Sequence, residues 1–220
     1  DIKTWSIDTV DELIQDFDTV LVSYAMGDLS VKVVDCIRAD QQLILDCYAP
    51  FYLEVSARNS EDLQTEYNNF HADVGRISHV LLRGDIFLCA SEPQKRFYKG
   101  VLAAVGRLNP ATYGDEILLI VPYGIYRDEP KAKSKPITKV VGKDVKKILW
   151  FGGLYPWFDL RNLIDAVWQV NKTVPARLIV VGGKNPFNNR SDFVQRYDQL
   201  VEHVNSSNEL KKLVIFEDWV

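Results

Sequence analysis

Apolar and polar positions change period several times along the chain. Thr19–Tyr24 (TVLVSY), Gln42–Leu45 (QLIL, closed by Asp46), Asp85–Ala90 (DIFLCA) and Ile117–Val121 (ILLIV) are short apolar runs bounded by polar or turn residues. Such runs predict buried strands. The stretches between them are longer and amphipathic. Leu29–Ala39 places Val31, Val34 and Ile37 at helical spacing, and residues 60–83 and Glu92–Val105 also carry a helical pattern. Ser91 suits the N-cap of the last helix, with Pro93 in its first turn and Gln94 at the capping-box position.

After Pro122-Tyr123-Gly124 the pattern breaks. Residues 127–147 read RDEPKAKSKPITKVVGKDVKK, rich in Lys, with Pro130 and Pro136. Prolines hold such a segment extended and like charges keep it solvated, which is linker chemistry. The clustered lysines also suit a weak attraction to an anionic membrane surface. Strand and helix patterns then restart at Lys147–Phe151, Leu160–Asn171, Arg177–Val181, Asp192–Asn205 and Lys212–Glu217. This alternation predicts an α/β fold with parallel sheets in two Rossmann-like domains. We place the first domain at residues 1–126, the linker at 127–146 and the second domain at 147–220. A doubly wound sheet has five or six strands. Both domains fall short of that, so the expectation is the central portion of a longer protein.

Composition narrows the function classes. A net charge of -4 and a pI near 5.4 give no global basic signature for nucleic acid, so no nucleic-acid partner is expected. Cys36, Cys47 and Cys89 lack the paired spacing of a disulfide framework or a zinc site, which fits a reducing, cytoplasmic setting. No apolar run approaches the roughly 20 residues of a membrane span. The chain begins Asp1-Ile2-Lys3, which is no signal peptide. His71, His79 and His203 are scattered in helical patterns, so no metal site is expected.

Candidate chemistry sits just after the strands, because ligands of open parallel sheets bind beyond their carboxyl ends. Gly152-Gly153 and Gly182-Gly183 end two strands of the same half, and Lys184-Asn185 follows the second pair. Glycine lets backbone amides approach an anion, a diphosphate above all, and Lys184 would add positive charge. The plainer alternative is that these glycines only permit tight turns. Neither G-x-G-x-x-G nor the Walker motif occurs, which argues against a simple dehydrogenase or P-loop enzyme. Asp46 ends an apolar strand, and Glu54 follows Pro50 in the first turn of the next helix. The two carboxylates suit a general base and its orienter. Alternatively, Asp46 caps a helix and Glu54 pairs with Arg58.

The ordered segments resemble family 4 glycosyltransferases of the GT-B fold. DIFLCASEPQKRFYKGVLAAVGR (Asp85–Arg107) is similar to the last strand–helix unit of the family's N-terminal domain, and LLIVPYGI (Leu118–Ile125) to its crossing into the linker. ILWFGGLYPWFDLRNLIDAV (Ile148–Val167) resembles the opening of the donor domain, and ARLIVVGGKNPF (Ala176–Phe187) its next strand and turn. LDCYAPFYLE (Leu45–Glu54) is similar to an acceptor-side segment. The resemblance implies transfer of a sugar from a nucleotide-sugar to a glycan or lipid-linked acceptor without a bound metal or other cofactor. It implies polysaccharide or glycoconjugate synthesis, in the cytoplasm or at the inner face of its membrane. By the same resemblance, Gly152, Gly153, Gly182, Gly183, Lys184 and Asn185 would bind the donor. Asp46 would be catalytic, and Tyr48 and Glu54 would lie on the acceptor side.

The sequence departs from that family at three places. The basic residues of its first donor turn are replaced by Gly153 and by Trp157-Phe158-Asp159, leaving backbone amides or Arg161 for the phosphate. Trp157 and Phe158 are expected to pack the following helix. The family's acidic E-x7-E motif is expected beyond the segment that ends at Glu217-Asp218-Trp219-Val220, and the earliest strands of the first domain are not evident. Two other readings remain at this point: a non-catalytic nucleotide- or sugar-binding protein, and a sugar-nucleotide epimerase.

Overall fold

The computed structural model describes residues 6–57, 62–128, 141–155, 158–183 and 191–217, with side chains omitted at 191–193. These residues form two compact units, residues 6–56 with 62–127 and residues 141–217.

In the first unit, β1 (Thr19–Ser23), β2 (Gln42–Asp46), β3 (Ile86–Cys89) and β4 (Leu118–Ile120) form one parallel sheet in the order β1-β2-β3-β4. Helices α1 (Val10–Ile14), α2 (Asp28–Cys36), α3 (Phe51–Ser56), α4 (Leu63–Arg83) and α5 (Glu92–Ala104) precede or connect the strands. Asp62 begins α4 by accepting from the Thr65 amide at 3.1 Å. The expected helix over 60–83 therefore starts later, and the short α3 precedes it.

In the second unit, β5 (Lys146–Phe151), β6 (Ala176–Val181) and β7 (Val214–Glu217) are parallel in the order β5-β6-β7. Helices α6 (Leu160–Asn171), α7 (Ser191–Asn205) and α8 (Asn208–Leu213) complete it. The strand expected over 212–217 is shorter. Ser207 caps α8 by accepting from the Glu209 and Leu210 amides, and that helix takes Lys212 and Leu213.

Among the described strands neither order reverses, and this decides where the cores lie. A parallel crossover is right-handed, so successive strands laid down in one direction put every connecting helix on the same face. Leu43, Leu45, Phe87, Cys89 and Leu118 make that face of the first sheet, packed against Val33, Val80, Leu81, Tyr98 and Leu102. Each large side chain so buried contributes about 1.5–3 kcal/mol. The opposite face carries Leu21, Ile44, Ile86, Leu88 and Leu119, none of which joins the core, and Leu21 is 60% exposed. The second sheet repeats the arrangement. Leu178, Val180 and Val214 pack with Leu160, Ile164 and Val167 of α6, whereas Leu149 and Phe151 on the other face are exposed. Val141 covers part of that face, buried against Ile179 and Val181.

Candidate functional site

The end of β2 is held by side chains. Leu43, Leu45 and Cys47 are wholly buried, so strand alternation turns Asp46 to the opposite face, beside Ile44. The Asp46 carboxylate is half-buried and has no hydrogen-bond or ion-pair partner among the described residues. Burial, and then the Asp46 charge, push the Cys47 thiol far above its ordinary pKa. Cys47 is therefore an inert core group.

Two buried tyrosines fix the loop that follows. The Tyr24 hydroxyl donates to the Ala49 carbonyl at 2.7 Å and accepts from the Phe51 amide at 2.8 Å. Tyr98 Oη lies 2.8 Å from Tyr24 Oη and also against the Ala49 carbonyl, and the two rings meet edge-on at 5.6 Å. Burial is the main cause raising both hydroxyl pKa values, and it keeps both protonated. Gln94 ties the same loop to β3. Its Nε2 donates to the Tyr48 carbonyl at 2.8 Å, and its Oε1 accepts from the Ala90 amide at 2.7 Å. Ser91 is the N-cap expected, accepting from the Gln94 amide at 3.5 Å. The capping box, however, closes one residue early, on Ala90 rather than Ser91.

Asp46 ends β2, and Tyr48 lies in the loop that these contacts hold. The Tyr48 ring is half exposed, and its carbonyl also lies 3.5 Å from Tyr123 Oη. Glu54 sits in the first turn of α3, and its charge is a lesser cause of the raised Tyr98 hydroxyl. The alternative that Asp46 caps a helix fails, because α3 begins only at Phe51. Arg58, its suggested partner for Glu54, lies outside the described residues.

The ends of β5 and β6 are held by backbone. Phe151 pairs with Val181, which makes Gly152 and Gly182 neighbours across the sheet, with φ of +149° and +125°. A Cβ at Gly182 would lie 2.3 Å from the Gly152 carbonyl oxygen, whereas one at Gly152 would meet nothing within 4 Å. Gly182 is thus demanded by packing. The Gly152 amide donates to the Val181 carbonyl at 3.0 Å, so it is not free for an anion as expected; its carbonyl accepts from the Trp150 indole at 3.3 Å. The amides of Gly153, Gly182 and Gly183 have no acceptor among the described residues. A Cβ at Gly153 would meet the Tyr155 ring at 2.8 Å, and one at Gly183 the Tyr197 ring at 3.2 Å.

Lys184, Asn185 and Trp157 lie outside the described residues. Phe158 packs edge-on against Trp150 at 5.3 Å, consistent with a packing role. A cavity of about 240 Å3 adjoins this turn, lined by Tyr155, Phe158, Arg161, Arg196 and His203 among others. Arg196 donates to the Phe158 carbonyl at 3.3 Å, and Arg161 has no partner among the described residues. No group of three His, Cys, Asp or Glu among the described residues could hold a metal ion. No helix there is long and apolar enough to cross a membrane.

The sequence reading missed Tyr24, Tyr98 and Arg196. Tyr24 follows β1 and was visible as a strand end, but its partners come from two other elements. Arg196 lies 35 positions after Arg161, and only the packing of α7 beside the β5 turn brings them to one cavity.

Among solved structures, the chain is similar to a sucrose-phosphate synthase from Thermosynechococcus elongatus, with a TM-score of 0.60 and 15% identity. The match covers 97% of this chain and 49% of that one, so the chain spans about half its length. No family model and no curated protein sequence matches. The likeness establishes the architecture: two Rossmann-like halves with parallel sheets, in the GT-B manner.

Proposed function

We propose that the chain belongs to a glycosyltransferase that moves a sugar from a nucleotide-sugar to an acceptor hydroxyl. The observation that carries this reading is the meeting of two glycine strand ends in a GT-B architecture, with three amides that have no acceptor among the described residues. In the reaction, the bond between the sugar anomeric carbon and the diphosphate breaks as the acceptor oxygen bonds to that carbon. The nucleoside diphosphate leaves. Its developing charge is met by the amides of Gly153, Gly182 and Gly183, by Lys184 and by Arg161. Asn185 would bind the same donor, and no metal ion takes part. Asp46, with no partner among the described residues, receives the acceptor proton, and Tyr48 and Glu54 shape the acceptor side. The product is a glycan or lipid-linked glycoconjugate, made in the cytoplasm or at its membrane face.

A thermal-shift panel of UDP-, GDP- and dTDP-sugars on the whole protein tests the reading. Ligand at 100 times its Kd adds about 2.7 kcal/mol of stability. One donor class is expected to raise Tm, and a panel without any rise refutes the proposal. Asp46→Asn is expected to lower turnover by about 10²–10⁴-fold with donor affinity unchanged. Unaltered turnover removes Asp46 from the mechanism.

A further inference from the structure

The opposite end of the second sheet carries a second concentration of charge. A cavity of about 500 Å3 opens where β5 and β6 begin and α6 and α8 end. Its polar lining is Asn171, Lys172, Arg177, Glu209 and Lys212, with Trp168 as one wall. Three cations therefore face one carboxylate, in a protein whose overall charge is -4.

The cavity's groups divide into held and free. Trp168 Nε1 donates to Glu209 at 3.0 Å, which engages that carboxylate. Lys172 sits 3.6 Å from the centre of the Trp168 ring and donates to Gln169 at 2.9 Å, so its ammonium is positioned. Asn171 Oδ1 accepts from the Ala176 amide at 2.9 Å, leaving its NH2 as a donor. Arg177 and Lys212 have no hydrogen bond or ion pair among the described residues. Like cations repel, and folding has nonetheless gathered these three from three elements against the single carboxylate of Glu209.

We propose that this cavity binds a phosphorylated small molecule, with its phosphoryl group held by Arg177, Lys212 and Lys172. A guanidinium fork with ammonium groups matches phosphate oxygens, and the net charge of about +2 matches a phosphate dianion. The volume exceeds a phosphate and lies in the range of small-ligand sites, leaving room for a sugar- or nucleoside-sized body. β5 and β6 each have six residues at roughly 3.3 Å per residue, so the site lies about 20 Å from the glycine turns. It is a second site, independent of the donor reading, and suited to an effector rather than a reacting group.

Inorganic pyrophosphate titrated into the 15N-labelled protein tests this. The Trp168 indole signal, assigned with Trp168→Phe, is expected to move. Arg177→Gln with Lys212→Gln is expected to weaken that shift at least tenfold while Tm is retained. Should the pair fail to fold, Lys212→Gln alone, at an exposed position, is expected to weaken it several-fold. An unmoved indole, or variants that titrate like the parent, overturns the proposal. So does a response only to phosphatidylglycerol vesicles and not to pyrophosphate, which would make the patch a membrane contact.

Discussion

The two strand ends that carry the candidate chemistry are built by opposite means. At β2 the loop is fixed by long side chains from other elements: Tyr24 from the end of β1, and Tyr98 and Gln94 from α5. At β5 and β6 the chain is fixed by the absence of side chains, with Gly182 packed on the Gly152 carbonyl. The first construction holds its loop through hydroxyl and amide groups, any of which can be removed singly. The second depends on close backbone approach, which tolerates no added atom. A site built from polar side chains should degrade gradually; one built from backbone contact should fail abruptly.

The sharpest test is Gly182→Val. A side chain there collides with main chain, and valine at positive φ is strained. We expect a loss of about 3–5 kcal/mol, from overpacking plus backbone strain. Trp fluorescence reports it, because four of the five Trp residues follow residue 147. Gly152→Ala, facing open space, should cost only the strain, about 1–2 kcal/mol. Equal effects at the two glycines would break the proposed asymmetry.

Tyr98→Phe comes next, at about 1–3 kcal/mol, because it leaves buried polar groups of Tyr24 and Ala49 with one partner fewer. Urea unfolding followed by far-UV circular dichroism measures it, and a neutral outcome would mean the tyrosine pair does not hold the loop. Alkaline pH gives the smallest graded effect. Both hydroxyls have folded pKa values above the ordinary 10, so their contribution is intact below pH 10. Above it, the unfolded chain ionises first and stability falls, by up to about 1.4 kcal/mol per pH unit for each group. Tyr98→Phe should flatten that slope, and an unchanged slope would assign the alkaline loss elsewhere.

The contrast also explains what the sequence made legible. Strand positions followed from apolar runs, and α6 was placed at its observed bounds because its period is uninterrupted and Asp159 caps it by accepting from the Asn162 amide. The glycine pairs were visible as a motif, but not their inequality: the Val181 carbonyl engages the Gly152 amide only once β5 and β6 are in register. The tyrosine contacts were hidden for a similar reason, since Tyr24 and Tyr98 are 74 positions apart. Helix α8 was missed because Leu213 continues the apolar run of β7, while the cap that starts the helix lies back at Ser207. Local pattern predicts elements; pairings between distant elements decide which atoms of a site are free.

The unreversed strand order bears on how the chain is made. In each sheet every strand pairs with the strand before it in sequence, from β1 with β2 through β6 with β7. As the polypeptide leaves the ribosome, each new strand from β2 to β4, and again β6 and β7, finds its partner already synthesised. Among the described strands, none has to wait for a distant later one. The separations are short for parallel pairing, which lowers the loop-closure cost of each addition. The described strands of both sheets can therefore pair vectorially, one after another, during translation.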